Sequence, residues 1–197
     1  MNHHRQGLPT RWIVATALLA ALSFVVSLFE IPMPLSPSYI KLDFSDVPAL
    51  IGAFAYGPIA GVMIELVKNL IALLTTNTGG VGQLANFSIG SAMMVVAGSV
   101  YRVKRTRKGA IIGIFFGAIA MGLMAMVMNY YVLLPLFSKF MPLDVIIETY
   151  SKILPIIKTK FDIVLYNALP FSFFKGIVCG AITMLLYKKL RPLLKGE

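Results

Sequence analysis

Six long apolar runs occupy most of the chain and constrain its fold more than any other feature. They fall at 12–29, 47–57, 59–75, 83–101, 109–136 and 161–187. A bilayer core needs roughly 20 mostly apolar residues per helical crossing, and only helices or closed barrels satisfy their backbone groups there. The sequence therefore predicts an all-α integral membrane protein with six transmembrane helices, folded as a single membrane domain over 1–197.

Charge content supports a membrane protein over a soluble one. Only 13% of the residues are charged and 58% are hydrophobic, with a mean hydropathy of +0.82. Soluble domains carry about 25% charged residues, so this chain has too little polar surface for a water-soluble enzyme. The same composition excludes a disordered chain.

Two segments depart from simple spans. The second and third runs are separated only by Gly57-Pro58, which predicts a tight break, and the short second run is predicted to be a tilted or partial span. Segment 142–160 mixes apolar residues with charges and contains Pro155. It predicts an interfacial helix before the sixth span and not a crossing.

Basic residues are distributed unevenly between the two sides of this topology. The N-terminus, the loop 102–108 and the C-terminus hold eleven basic residues and one acidic residue, whereas the opposite side holds five basic and six acidic residues. The positive-inside rule then places both termini in the cytoplasm. Because this pattern accounts for the net charge of +10, no nucleic-acid partner is needed, and the basic loop is expected to contact lipid headgroups.

Two loops on the outer side carry unusual sequences. Loop 30–46 has three prolines and an alternating stretch from Tyr39 to Phe44, which predicts an ordered lid, although Asp43 is expected to stay within reach of water. Loop 76–86 has three glycines and ends near Asn86. It is either an ordinary turn with a helix cap, which the spacing alone favours, or a place where a ligand approaches the backbone.

Polar side chains inside the spans suggest a binding function. Glu65 and Lys68 are three residues apart and are predicted to pair as a structural couple. Asn129 lies near the outer end of the fifth span and Lys175 lies deep in the sixth, where a cation needs a cavity or a partner. The sequence shows no nucleophile–base pair, no Walker motif and no His/Cys metal set. These features fit a small-molecule binder or carrier.

Three stretches carry a family resemblance. YIKLDFSDVPALIGAFAYGPIAGVMIELVKNLI, TGGVGQLANF and PFSFFKG are similar to the substrate-binding S components of energy-coupling factor (ECF) vitamin transporters, most closely the riboflavin-specific type. The resemblance covers about 12–189 and is most specific at 41–53. It implies a protein of the prokaryotic cell membrane that captures its vitamin outside. It also implies docking on a scaffold membrane subunit with two ABC-type ATPases.

Two questions stay open at this stage. The resemblance implies that riboflavin is a transported ligand and not a cofactor, but FMN or another vitamin is an alternative ligand. A small polytopic membrane enzyme acting on lipid is a third alternative, which the missing nucleophile–base pair disfavours.

The resemblance also implies where the vitamin binds. Carried onto this sequence, its contacts come from the first outer loop, the loop before the fourth helix and the outer ends of the last two helices: Leu42, Asp43, Phe44, Gly82, Ala85, Asn86, Asn129, Ser172 and Lys175. Ser172 stands where the riboflavin type carries an asparagine. A hydroxyl both donates and accepts, but it reaches less far than an amide.

A pair of alanines on the first helix is the last feature singled out. Ala17 and Ala21 are four residues apart, so they share a face and form a small-x-x-x-small pattern. The pattern alone favours internal packing. The resemblance instead implies that this pair meets the scaffold subunit.

Overall fold

Helices make up almost all of the described chain. The computed structural model describes residues 10–32, 41–76 and 79–195. Its helices are α1 (Thr10–Ser27), α2 (Asp46–Tyr56), α3 (Pro58–Ala72), α4 (Val81–Val103), α5 (Arg107–Met128), α6 (Leu134–Phe137), α7 (Leu143–Ser151), α8 (Lys160–Ile163) and α9 (Leu169–Lys195). A 3-10 turn, Leu73–Thr75, extends α3. Wider π turns at Asn129–Leu133 and Val164–Ala168 join α5 to α6 and α8 to α9.

The helical membrane fold predicted from the apolar runs is confirmed. Five helical segments are long and apolar enough to cross a membrane: Thr10–Ser27, Pro58–Thr75, Val81–Val103, Arg107–Phe137 and Lys160–Tyr187. The second predicted run corresponds to α2, which is apolar but has only 11 residues. Large apolar side chains such as Leu18, Phe116 and Leu185 are exposed on the outside of the bundle, where lipid would cover them.

The break between α2 and α3 is a tight turn built on glycine. Gly57 has a φ of 99°, a conformation that other residues rarely adopt, and Pro58 begins α3. Helix α4 crosses directly over this turn, because a Cβ atom on Gly98 would lie 2.9 Å from the Cα atom of Pro58. Glycine is therefore needed at both positions for α2, α3 and α4 to pack as they do.

The two ends of the bundle are distinguished by what they carry. At one end the rings of Phe54, Tyr101 and Tyr187 meet, with centroids 4.6–6.0 Å apart. These residues lie at the ends of α2 and α4 and late in α9, and α1 begins at the same end, since Trp12 lines a cavity with Tyr101. We call this the termini end. We call the opposite end, which carries residues 28–32 and 41–45, the loop end.

The two segments that flank the first loop form short strands that pair with each other. Ile31–Pro32 (β1) pairs antiparallel with Lys41–Leu42 (β2), with Ile31 opposite Leu42. Extended pairing agrees with the alternation seen before Phe44. The centre of the predicted lid, residues 33–40, lies outside the described residues, as do His3 and His4.

The predicted interfacial helix over 142–160 is too long and is corrected here. The helix α7 covers only Leu143–Ser151, and the chain is not helical again until Lys160. Pro155 explains the early end, because proline disfavours helical conformation in the residue before it and lacks an N–H. Ile146 and Tyr150 are buried on one face of α7. Glu148 and Lys152 form an exposed ion pair, with 2.8 Å between Oε1 and Nζ.

Candidate functional site

Five charged side chains from three parts of the chain converge at the loop end of the bundle. We call them the ion cluster: Asp43, Asp46, Glu65, Lys68 and Lys175. All are nearly inaccessible, with exposed side-chain fractions from 0% for Glu65 to 13% for Asp43. Charges are expensive to bury unless they are paired, so their convergence marks this region as the candidate functional site.

Lys175 of α9 contacts two acidic residues at the start of α2: Asp43, just before the helix, and Asp46, its first residue. Its Nζ atom lies 2.9 Å from Oδ2 of Asp43 and 2.8 Å from Oδ2 of Asp46. Two carboxylates compensate for burying this cation in a membrane helix. The sequence predicted that Lys175 needs a cavity or a partner, and the structure supplies two acidic partners. One of them, Asp46, was not among the predicted site residues.

Lys68 ties α3 into the same cluster. Its Nζ atom is 2.6 Å from Oε2 of Glu65, which confirms the predicted pairing, and 3.4 Å from Oδ1 of Asp46. It also donates a hydrogen bond of 3.1 Å to the Ser45 hydroxyl. Because Asp46 contacts both lysines, it links α3 to α9.

A glycine on α4 makes room for the buried carboxylates. A Cβ atom on Gly90 would lie 2.7 Å from Oε2 of Glu65 and 3.3 Å from Oδ1 of Asp46. Any larger residue would push into these oxygen atoms. On the same side, the Asn69 amide donates to the Glu65 carbonyl at 2.8 Å and reaches Oδ1 of Asn86 at 3.5 Å. Asn86 is therefore connected to the ion cluster through Asn69.

Asp43 is held in place from several directions. The Ser45 N–H donates to its Oδ1 at 2.9 Å, the Ser45 hydroxyl donates to the same oxygen, and Lys175 contacts the other oxygen. With 13% of its side chain exposed, Asp43 is mostly buried but keeps some contact with water. Burial raises the pKa of Asp43, but the Lys175 and Lys68 ammonium groups and the hydrogen bond from Ser45 together outweigh it, so the pKa falls below its usual value. Asp43 is a carboxylate at neutral pH.

The other predicted residues of the loops and α9 lie on the segments that carry the ion cluster or on α4. Leu42 is buried and Phe44 packs against the core, on either side of Asp43. Ser172 is buried one turn before Lys175 on α9. Gly82 lies in the first turn of α4, and Ala85 is buried one turn later. Asp43 and Lys175 are thus brought into direct contact, and the remaining residues lie on the adjoining segments.

Asn129 lies apart from this network. It begins the π turn at the end of α5, and its amide donates to the Ala125 carbonyl at 2.8 Å. Its π turn contacts the second π turn, which contains the buried Asn167. Sequence reasoning missed Asn167, although an amide inside an apolar run was a usable signal. π turns are common at functional sites, and here two of them bring two asparagine-bearing segments together.

Two cavities lie away from the ion cluster, at the termini end. They measure about 470 Å³ and about 320 Å³ and share Tyr56 in their linings. We place the candidate functional site at the ion cluster because the buried charges and the predicted residues converge there. Within residues 10–32, 41–76 and 79–195, no three His, Cys, Asp or Glu side chains are arranged to hold a metal.

Ala17 and Ala21 face outward from α1. Both are exposed, whereas Thr16, Leu19 and Ala20 on the opposite face are buried against the bundle. Internal packing, which the pattern alone favoured, therefore does not account for these alanines.

Comparisons with known proteins agree on one family. A family model described as "ECF transporter, substrate-specific component" matches residues 11–187. The riboflavin transporter RibU of Staphylococcus aureus (strain TCH60) is 35% identical over 183 residues, covering 93% of this chain and 92% of its own length. The riboflavin transporter FmnP of Bacillus subtilis (strain 168) is 31% identical over 183 residues, covering 91% and 92%. A solved S component of a bacterial ECF transporter matches with a TM-score of 0.75 at 34% identity, covering 94% of this chain and 98% of that one.

Proposed function

The chain belongs to the family of ECF transporter substrate-specific components, and we propose that riboflavin is the vitamin it binds. Relatives that align over nearly all of the chain are named riboflavin transporters. Members of this family are transporter components and not enzymes, and they work with a scaffold membrane subunit and ATPase subunits. Riboflavin is then the transported ligand and not a cofactor.

The observation that carries the binding site is the contact between the first loop and α9. Asp43 and Lys175 are 132 residues apart in sequence and 2.9 Å apart in the fold. A lysine ammonium has three donors, and two of those on Lys175 face Asp43 and Asp46. The third can donate to a carbonyl on the pyrimidine edge of the flavin ring, assisted by the Ser172 hydroxyl one turn away.

Polar groups of two kinds suit the two parts of riboflavin. Amides both donate and accept, so Asn129 and Asn167 can match the alternating edge of the ring. The polyol chain needs acceptors and small residues, which Asp43, Asn86 and the glycine-bearing start of α4 at Gly82 supply. Leu42, Phe44 and Ala85 provide apolar contact for the flat ring.

The same proposal includes a membrane topology. We infer six crossings in a single membrane domain. The five membrane-length helices supply five of them, and the short helix α2 supplies one more, because it runs from the loop end to the cavity at Tyr56. Both termini are cytoplasmic, since the basic loop of residues 102–108 lies at the termini end. The loop end, with the ion cluster, then faces outward in a prokaryotic cell membrane.

The proposal also assigns the docking face to α1. The exposed small residues Ala17 and Ala21 allow another helix to approach closely, and the partner on this face is the scaffold subunit that carries the two ATPases. Vitamin binding and docking are therefore served by different faces of the chain.

The ligand is tested by absorption spectroscopy. The protein is purified in mild detergent, freed of ligand and titrated with riboflavin, with FMN and an unrelated vitamin as parallel arms. Riboflavin is expected to bind at a stoichiometry of about one and to shift the flavin spectrum as the ring enters an apolar site. Absence of any flavin binding by a folded preparation would exclude riboflavin and FMN together, and preferential binding of FMN would reassign the ligand.

Replacing Lys175 by alanine is expected to weaken riboflavin binding by about tenfold to a hundredfold. The reason is the loss of a charge-assisted hydrogen bond, for which about 1.5–3 kcal/mol is typical. Flavin titration measures the effect. Lys152→Ala removes a lysine that directly follows α7 and is 71% exposed, and it should leave the affinity unchanged. In Lys175→Ala the Asp43 carboxylate loses its cation, which should also lower the stability of the fold. The Lys175→Ala, Asp43→Asn double variant removes that unpaired carboxylate, so it should recover stability without recovering affinity.

Wild-type affinity in Lys175→Ala would exclude Lys175 from the site.

A further inference from the structure

A polar cavity opens at the termini end, far from the ion cluster. It measures about 320 Å³, and its lining combines Trp12 of α1, Tyr56 at the end of α2, Tyr101 of α4 and two basic residues, Arg102 and Arg105. Both arginines are exposed. Tryptophan and tyrosine favour the membrane–water interface, and arginine guanidinium groups match phosphate oxygens in geometry and charge. The cavity therefore has the composition of a site for a phosphate group at the membrane surface.

An apolar groove lies beside this cavity and follows α1. It measures about 470 Å³, and apart from Thr10 and Arg11 at its start it is lined by apolar or weakly polar side chains. Its α1 lining runs from Thr10 to Leu22, a rise of about 18 Å along the helix. Tyr56 lines both the groove and the polar cavity. A recess with two arginines at its rim therefore lies next to an apolar groove that follows α1.

We propose that these two cavities together bind one anionic phospholipid. The phosphate headgroup lies between Arg102 and Arg105, and an acyl chain lies against Val14, Leu18 and Leu22. Basic pockets between transmembrane helices are a recognised way of holding anionic lipids. The site uses neither the ion cluster nor the residues assigned to the vitamin, so it does not depend on which vitamin is transported.

The nearby charges favour an anionic lipid over a zwitterionic one. Residues 102–108 contain five basic residues and no acid, and Arg11 begins the groove. A zwitterionic headgroup would bring its own cation toward these guanidinium groups. Each basic residue near an anionic membrane surface contributes about 1 kcal/mol, so the two arginines of the cavity should produce a selectivity of roughly tenfold to thirtyfold.

Native mass spectrometry of the delipidated full chain tests the proposal. The protein is mixed with equal amounts of phosphatidylglycerol and phosphatidylcholine, and bound lipids are counted for the wild type and two double variants. Arg102→Gln with Arg105→Gln removes the charges that line the cavity. Arg107→Gln with Lys108→Gln removes the same charge from the same basic stretch, but from the first turn of α5 and outside both linings. A third variant, Ala15→Trp, fills the groove with no change in charge.

We expect the wild type to prefer phosphatidylglycerol by about tenfold or more. The cavity variant should lose this preference, the control variant should keep it, and Ala15→Trp should reduce binding of both lipids. Glycerol phosphate, added alone, separates a lipid site from a site for free phosphate. If the wild type retained the two lipids equally, the proposal would be overturned whatever the variants showed. A preference unchanged by the cavity variant would also overturn it, as would competition by glycerol phosphate as strong as that by the lipid.

Discussion

Tryptophan at position 17 or 21 is expected to abolish ATP-driven vitamin uptake while leaving riboflavin binding nearly normal. Both alanines are exposed on α1, so a large ring there need not disturb the bundle. It would instead hold the scaffold helix away, because small-x-x-x-small contacts depend on close approach of two backbones. The measurement is uptake of labelled riboflavin in cells that express the complete transporter, beside flavin titration of each purified variant.

An exposed alanine elsewhere supplies the matched control. Ala181 lies on α9 and is also exposed, so Ala181→Trp adds the same bulk to a lipid-facing surface on another helix. It should support normal uptake. Uptake that persists with tryptophan at both Ala17 and Ala21 would show that this face does not dock. A parallel fall in binding and uptake would show that α1 had been disturbed internally.

Replacing Lys68 by methionine is expected to destabilise the protein by about 3–5 kcal/mol, the usual range when one member of a buried ion pair is removed. Lys68 is 2.6 Å from the Glu65 carboxylate, which is 0% exposed, and also contacts Asp46. Methionine fills the space but leaves both carboxylates with one cation fewer. Chemical unfolding in mixed micelles would measure the loss.

Rescue distinguishes charge imbalance from poor packing. Adding Glu65→Gln to Lys68→Met removes the stranded carboxylate at nearly constant volume, so most of the lost stability should return. Lys152→Met, directly after α7, breaks an ion pair whose two side chains are 71% and 62% exposed, and it should cost less than about 1 kcal/mol. A Lys68→Met protein as stable as the wild type would show that the cluster contributes nothing to stability.

The helical fold could be predicted because the bilayer imposes a simple rule on the sequence. Runs of apolar residues have to be helices in a membrane. Five of the runs agree within about two residues with the membrane-length helical segments of the described chain, and the second run agrees with α2. The segments at the fifth and sixth runs are each made of shorter helices joined by a π turn, and α9 continues beyond the sixth run to Lys195. Local detail was less accessible. The π turns at Asn129–Leu133 and Val164–Ala168 shift the register by one residue, and no residue type marks such a turn.

In the candidate site, contacts between residues close in sequence could be predicted, and contacts between residues far apart in sequence could not. Glu65 and Lys68 could be paired from their spacing, since residues three apart share a helix face. Lys175 could be recognised as a costly intramembrane cation. Its partners Asp43 and Asp46 could not be predicted, because they precede it by more than a hundred residues in the sequence. Only the packing of α9 against α2 brings them together.

The separation of these partners has a consequence for how the protein is made. During synthesis the early part of a chain folds first, and α3 can enter the bilayer with Glu65 and Lys68 already neutralising each other. Asp43 and Asp46 obtain their contact with Lys175 only after more than a hundred further residues have been translated. A nascent chain that stops before α9 should therefore leave the segment from Leu42 to Asp46 open to proteases. Insertion of α9 would pair Asp43 and Asp46 with Lys175, so protease resistance of this segment would indicate that biogenesis is complete.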